Sequence, residues 1–97
     1  MNKFIFKYPI KVSASKAAAI VLPINYEILS LKAIEGQICL YALVDPTETE
    51  KEVKKIITAW TEDSFTIEEL EDIKNNYTFL GTAIDDMSLV WHVWIEK

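Results

Sequence analysis

Residues 26–46 read YEILSLKAIEGQICLYALVDP, two runs dense in Ile, Leu, Val and Tyr separated by Glu35 and Gly36. β-Branched and aromatic residues suit a pleated, half-buried surface. A two-residue joint containing Gly, which takes positive φ freely, suits a tight antiparallel hairpin. The second arm, ICLYALV, is apolar at consecutive positions, which predicts a central strand covered on both sides. Asp45 and Pro46 close it, and the rest of the chain must supply the cover.

The flanking segments supply more strand. In residues 3–12, Phe4, Phe6, Tyr8, Ile10 and Val12 share one face, while Lys3, Lys7 and Lys11 share the other with Ile5 and Pro9; this is a period of two. Pro9 has no N–H for a ladder, so the strand belongs at a sheet edge or bends there, and its lysines discourage a further strand from adding. Ala18 to Leu22 predicts a brief second strand. At the far end, NYTFLGTAIDDMSLVWHVWIEK predicts another hairpin turning at Asp85 and Asp86. Its return strand sets Leu89, Trp91, Val93 and Ile95 on one face and Val90, His92 and Trp94 on the other.

Residues 47–61 fit two periods. Val53, Ile56, Ile57 and Trp60 have helical spacing, and Val53, Lys55, Ile57, Ala59 and Thr61 alternate as in a strand. Residues 65–76, FTIEELEDIKNN, are less ambiguous. Thr66 and Glu69 make a capping box, and Phe65 and Leu70 a hydrophobic staple. A helix is predicted over 67–74, with Ile67, Leu70 and Ile73 packed down and Asn75 and Asn76 making a left-handed exit.

Composition narrows the function classes. Ninety-seven residues, 51% of them hydrophobic, make one domain of residues 1–97. Lone Cys39 lies in an apolar run and cannot close an internal disulfide, which fits a reducing compartment. The N-terminus has neither the continuous apolar stretch of a membrane span nor the pattern of a signal peptide, so the expected location is cytoplasmic. The basic count of 10 is entirely lysine and the net charge is −5. Without the arginine preferred for phosphate and base-edge contacts, the chain is a poor candidate for nucleic-acid binding. Lys3, Lys7, Lys11 and Lys16 fall in the first 16 residues with no carboxylate, while most acids lie beyond residue 44. That asymmetry reads as ordinary solvated surface, or as an acidic face that docks on a basic protein.

Catalytic patterns are scarce. One His and one Cys cannot ligate a metal of the zinc class, and Gly36 and Gly81 cannot build a phosphate loop. The acids of TIEELEDIK read as the solvated side of the helix. A Cys39/His92 dyad would need the two arms to meet with Cys39 exposed, whereas the pattern reads Cys39 as core and His92 as a strand residue. No enzymatic activity, cofactor or metal is expected. The aromatics are a stronger signal, because tryptophan on an outward strand face marks an interface or a stacking pocket. The candidate binding or interface residues are Trp60, Trp91, His92 and Trp94, with Lys7 and Lys11 for anionic groups.

The segments FKYPIKV, LP, EILSLKAIEGQICLYALVDP, YTFLGT and LVWHVW, in that order, resemble a small uncharacterised protein family common in phages and prophages. Its pattern runs KYPL, LP, ILSV, G-x-P-x-LWALVDP, a strand ending in GTGHP, IGTF and LVFHVFE. The resemblance spans the chain, with ALVDP and LVWHVW its most specific parts. It implies a strand over residues 52–61, and it carries no established function. This sequence departs from it at AWTEDSF, residues 59–65, where GTGHP is replaced by the segment leading into the helix.

The expected fold is therefore mainly β: about six antiparallel strands in a small sandwich or partly closed barrel, with one short helix between the fifth and sixth. Exposed sheet edges suggest a homo-oligomer, most simply a homodimer. The leading functional expectation is a non-catalytic, phage-type accessory protein that binds a host protein, with a possible anti-defence role. The second is sequestration of a small nucleotide-like ligand, with Trp94, His92 and Trp60 stacking on the base and the N-terminal lysines on phosphate. The third is a minor virion component.

Overall fold

In the computed structural model, which describes residues 2–13 and 15–97, the 26–46 hairpin is the centre of one sheet. β3 (Glu27–Ile34) and β4 (Gln37–Val44) are joined by Glu35 and Gly36, both at positive φ, 50° and 82°. These are the torsions of a type I′ turn, whose twist matches that of the strands it joins. A Cβ on Gly36 would also lie 2.5 Å from the Asp86 carboxylate, so the two hairpin tips meet where Gly leaves room. β1 (Phe4–Pro9) pairs antiparallel with the other side of β4, giving the order β1-β4-β3.

The second sheet contains β2 (Ala17–Pro23), β5 (Lys51–Trp60), β6 (Tyr77–Ile84) and β7 (Val90–Glu96) in the order β2-β5-β7-β6. Residues 51–60 are strand because both neighbours pair with them: Ile56 lies opposite Ala18 on one side and Ile95 on the other. The alternation in 47–61 thus prevails over the helical spacing. The strands number seven, and the brief strand expected over Ala18 to Leu22 runs a little longer, Ala17–Pro23.

The two sheets face each other as a sandwich without closing into a barrel. Leu22, Ile38, Leu40, Val44, Ile56 and Val93 form the centre of the interior, each at most 2% exposed. Burying side chains of this size contributes about 1.5–3 kcal/mol apiece. At one corner β6 comes against β3, where Gly81 adopts φ 153° at a bulge and Leu31 lies 3.8 Å from the position of its missing Cβ. At the other corner β1 and β2 are free edges.

Two local expectations need correction. The helix α1 (Ile67–Asn76) has the predicted capping box, with Thr66 Oγ1 accepting from Glu69 N–H and Glu69 accepting from Thr66 N–H. It does not leave through a left-handed asparagine. Tyr77 is already extended (φ −129°), and strand pairing starts at once, Tyr77 opposite Glu96 and Lys97 N–H donating to Asn76 O. Only Ile73 of its apolar side is buried; Ile67 and Leu70 are 73% and 51% exposed, because the helix meets the sheet only near its C-terminal end. On β1, Phe4 and Phe6 point to the core side opposite Val44 and Ala42 but stay 49% and 43% exposed, since the facing sheet does not reach over them.

Thr58 sits on the inner face opposite Val93, completely buried, with no hydrogen-bond partner for its hydroxyl among the described residues. An unpaired buried hydroxyl carries a desolvation cost that an isosteric methyl avoids. Thr58→Val is therefore expected to stabilise the fold by about 1 kcal/mol, raising Tm by roughly 4–8 °C, as thermal unfolding followed by circular dichroism would measure.

Candidate functional site

The alternation of β7 decides what each member of LVWHVW does. Trp91, Val93 and Ile95 are buried between the sheets, and Val90, His92 and Trp94 are half-buried on the outer face. His92 lies opposite Ala59 of β5 and Thr82 of β6. Its Nδ1 is 2.9 Å from Thr82 Oγ1, and its Nε2 is 3.0 Å from Thr61 Oγ1, just past the end of β5. A neutral imidazole offers one donor and one acceptor, and a hydroxyl can answer either. The ring therefore ties β5, β6 and β7 together, with both nitrogens occupied.

A catalytic pair is not assembled around it. Cys39 is buried on the outer face of the first sheet, its Sγ 3.6 Å from Gln37 O, so the sandwich separates it from His92. Among the described residues there is also no group of three His, Cys, Asp or Glu that could hold a metal, and no helix long and apolar enough to cross a membrane.

Trp94 is enclosed by its own chain. Phe65 meets it edge-on with centroids 6.0 Å apart, and Phe79, its cross-strand neighbour, lies 5.3 Å away at a tilt of 60°. Phe65 is held in turn by Lys16, whose Nζ lies 4.7 Å from the ring centroid, donates to Ser64 O at 2.6 Å and sits 3.8 Å from Glu69. The segment leading into the helix thus folds back as partial cover for the tryptophan. Beside it, α1 and the β2–β5 edge leave a cleft of about 240 Å³ lined by Lys16, Phe65, Glu69, Asp72, Ile73 and Tyr77. Burial, and then the charges of Asp72 and Glu96, raise the Tyr77 phenol above its ordinary value. The cleft is a narrow, mixed-charge recess whose lysine is already engaged.

Trp60 belongs elsewhere. It pairs with Trp91 on the inner face, stacked at 6.0 Å and 29°, and its outer half is open to solvent at one end of the sandwich. Trp60 therefore does not share a surface with His92 and Trp94. Lys7 and Lys11 are exposed on and just beyond β1, in the other sheet, and neither makes a hydrogen bond or ion pair among the described residues. Of the six candidates, Trp91 lies in the interior and the other five fall on three separate surfaces.

Asp85 and the two threonines were not among the sequence candidates. Asp85 Oδ1 accepts from Met87 and Leu89 N–H, both at 2.9 Å, and Oδ2 accepts from Trp91 Nε1 at 3.0 Å, clamping the β6–β7 loop to the core tryptophan. The indole donor first, then the two amides, hold its carboxyl below the usual range. The Asp45 carboxyl is lowered by the Thr47 hydroxyl and amide, and that of Glu69 by the Thr66 amide above all. A carboxyl with a lowered folded-state pKa contributes stability above its unfolded value, near 4, and loses it as pH falls through the folded value. Urea midpoints are thus expected to be level from neutrality to about pH 5 and to fall steeply below about pH 4, and Asp85→Asn is expected to flatten that fall.

Fold and site together define a small two-sheet antiparallel β domain whose lone histidine braces strands and whose segment leading into the helix partly shields a tryptophan. The chain belongs to a family described as a domain of unknown function, DUF7352, whose model matches residues 1–97. No curated protein and no solved structure matches it.

Proposed function

We propose that this chain is a non-catalytic accessory protein that acts by binding a partner protein. The observation that carries this reading is the placement of its apolar surface: Phe4 and Phe6, 49% and 43% exposed, share the core-side face of a free edge strand, and Ile5, 63% exposed, lies between them on its other face. Exposed apolar residues scattered singly are ordinary, but apolar side chains exposed on both faces of an unpaired edge are an aggregation hazard unless something covers them. The braced His92 and the partly covered Trp94 favour the same reading, since both imidazole nitrogens and one side of the indole are already engaged by the chain's own residues. The resemblance of the strand motifs to phage and prophage proteins makes a host protein the partner of choice, with interference in host defence as the occasion.

Co-purification of the tagged protein from bacterial lysate tests it. A stoichiometric protein partner is expected, lost in the Phe4→Ser, Phe6→Ser double variant while circular dichroism of the variant is unchanged. Recovery of virion proteins alone, or a thermal shift with a nucleotide in place of any partner, would overturn it.

A further inference from the structure

Backbone geometry makes β1 a specific kind of edge. Ile10 N–H donates to Ile38 O at 2.8 Å, and the antiparallel ladder alternates from there, so Phe4, Phe6 and Tyr8 direct their amides to β4. Lys3, Ile5, Lys7 and Pro9 therefore direct theirs to the open side. Pro9 occupies an outward position, where its missing N–H costs no bond to β4, and it ends the usable edge. What remains is a short row of outward amides and carbonyls at Lys3, Ile5 and Lys7. It is flanked by Phe4 and Phe6 on the core side and by Lys7 on the other, with Lys11 two residues past the proline.

We propose that this edge accepts an extended segment of the partner in which apolar and acidic side chains alternate; the proposal rests on the reading of the chain as a binding protein. In an added strand, residues opposite Phe4 and Phe6 fall on the core side and extend the apolar face. Residues opposite Lys7 fall on the outer side, where a carboxylate finds an unengaged ammonium. Charge selects the occupant. Residues 2–16 contain four lysines, Lys3, Lys7, Lys11 and Lys16, and no acid. Lys3 donates to Asn25 O and Lys16 is held at Ser64, which leaves Lys7 and Lys11 for a partner. A second copy fits poorly. Antiparallel self-pairing centred on Ile5 sets Lys3 against Lys7, and centring on Lys7 sets it against itself, a like-charge contact on the same ridge. A basic segment meets the same repulsion, so the complementary partner is acidic.

The test uses the intact protein and a short fluorescent peptide alternating glutamate and valine, with binding read by fluorescence anisotropy. Saturable binding is expected that weakens as salt rises, and that the Lys7→Glu, Lys11→Glu double variant reduces by roughly tenfold or more. Ile5→Pro removes an outward N–H while sparing the β4 ladder, and is expected to reduce binding comparably with the urea midpoint little changed; N-methylating the peptide should do the same. The inference is overturned by no binding, by equal binding of a lysine–valine peptide, or by indifference to both Ile5→Pro and N-methylation. A partner that still co-purifies with the double lysine variant overturns the edge inference and leaves the binding reading standing. Absence of any partner in that experiment overturns the reading itself.

Discussion

Trp91→Ala is expected to destabilise the protein by about 3–5 kcal/mol, the range for truncating a buried large aromatic. Three separate losses converge on this side chain. Trp91 is only 6% exposed, so its removal opens a cavity between the sheets next to fully buried Val93. Trp60 loses the ring it stacks against, at an end of the sandwich where it is already half-open. Asp85 loses the indole donor that most lowers its carboxyl pKa, leaving that carboxylate with the two amides alone. A domain with about 5–15 kcal/mol of total stability would be left marginal or unfolded, and the urea midpoint reads this directly. Trp91→Phe separates the contributions: it retains most of the buried ring but not the N–H, and is expected to cost about 1–2 kcal/mol. His92→Ala should cost no more than that, because the imidazole bridges hydroxyls near the surface rather than filling the interior. If Trp91→Ala is the most damaging of the three, with Trp91→Phe and His92→Ala close together, the weight of LVWHVW rests on its first tryptophan.

That ranking also marks what the sequence made legible. Period-two alternation separates Trp91 from His92 whatever the strand pairs with, because the pleat alone sets the face. The Glu35–Gly36 joint and the Thr66–Glu69 box are likewise local, and both occur as their residue types require. Readings that needed long-range register were out of reach. Thr82 meets His92 only because β6 bulges between Phe79 and Gly81, and Thr61 only because β5 ends one residue earlier. Asn75 and Asn76 favour a left-handed exit locally, yet the pairing of Tyr77 with Glu96 draws the chain straight into β6. The exposure of Phe4 and Phe6 has the same origin: alternation says which way they point, and only the extent of the opposite sheet says whether anything lies there.

Ile73→Asp is expected to release α1 from the sheet while the sandwich remains folded. Ile73 is the only residue of the helix that is buried, and a charge placed there without a partner is strongly unfavourable unless the site opens to water. Opening is easy here. The helix touches little beyond β6, Ile67 and Leu70 already face solvent, and the segment before it is tied by Phe65 on Trp94, by Lys16 donating to Ser64 O, and by the exposed Lys16–Glu69 pair, which is weak at the surface. The expected cost is about 2–4 kcal/mol of local stability, taken up in freeing residues 61–76 rather than in unfolding both sheets. Limited proteolysis should cut within α1 in the variant and not in the parent. Trp94 emission should shift to the red as its cover departs, with the β-sheet circular dichroism signal retained. Full cooperative unfolding instead would mean that the helical segment is part of the core and not a cover laid over it. The two outcomes bear on function differently. A detachable α1 leaves the binding edge at β1 untouched, since β1 lies in the other sheet, so the Ile73→Asp protein should still take up the acidic peptide. A Trp94 uncovered by this variant that then bound nucleotide would shift the functional weight back to the histidine-bearing face.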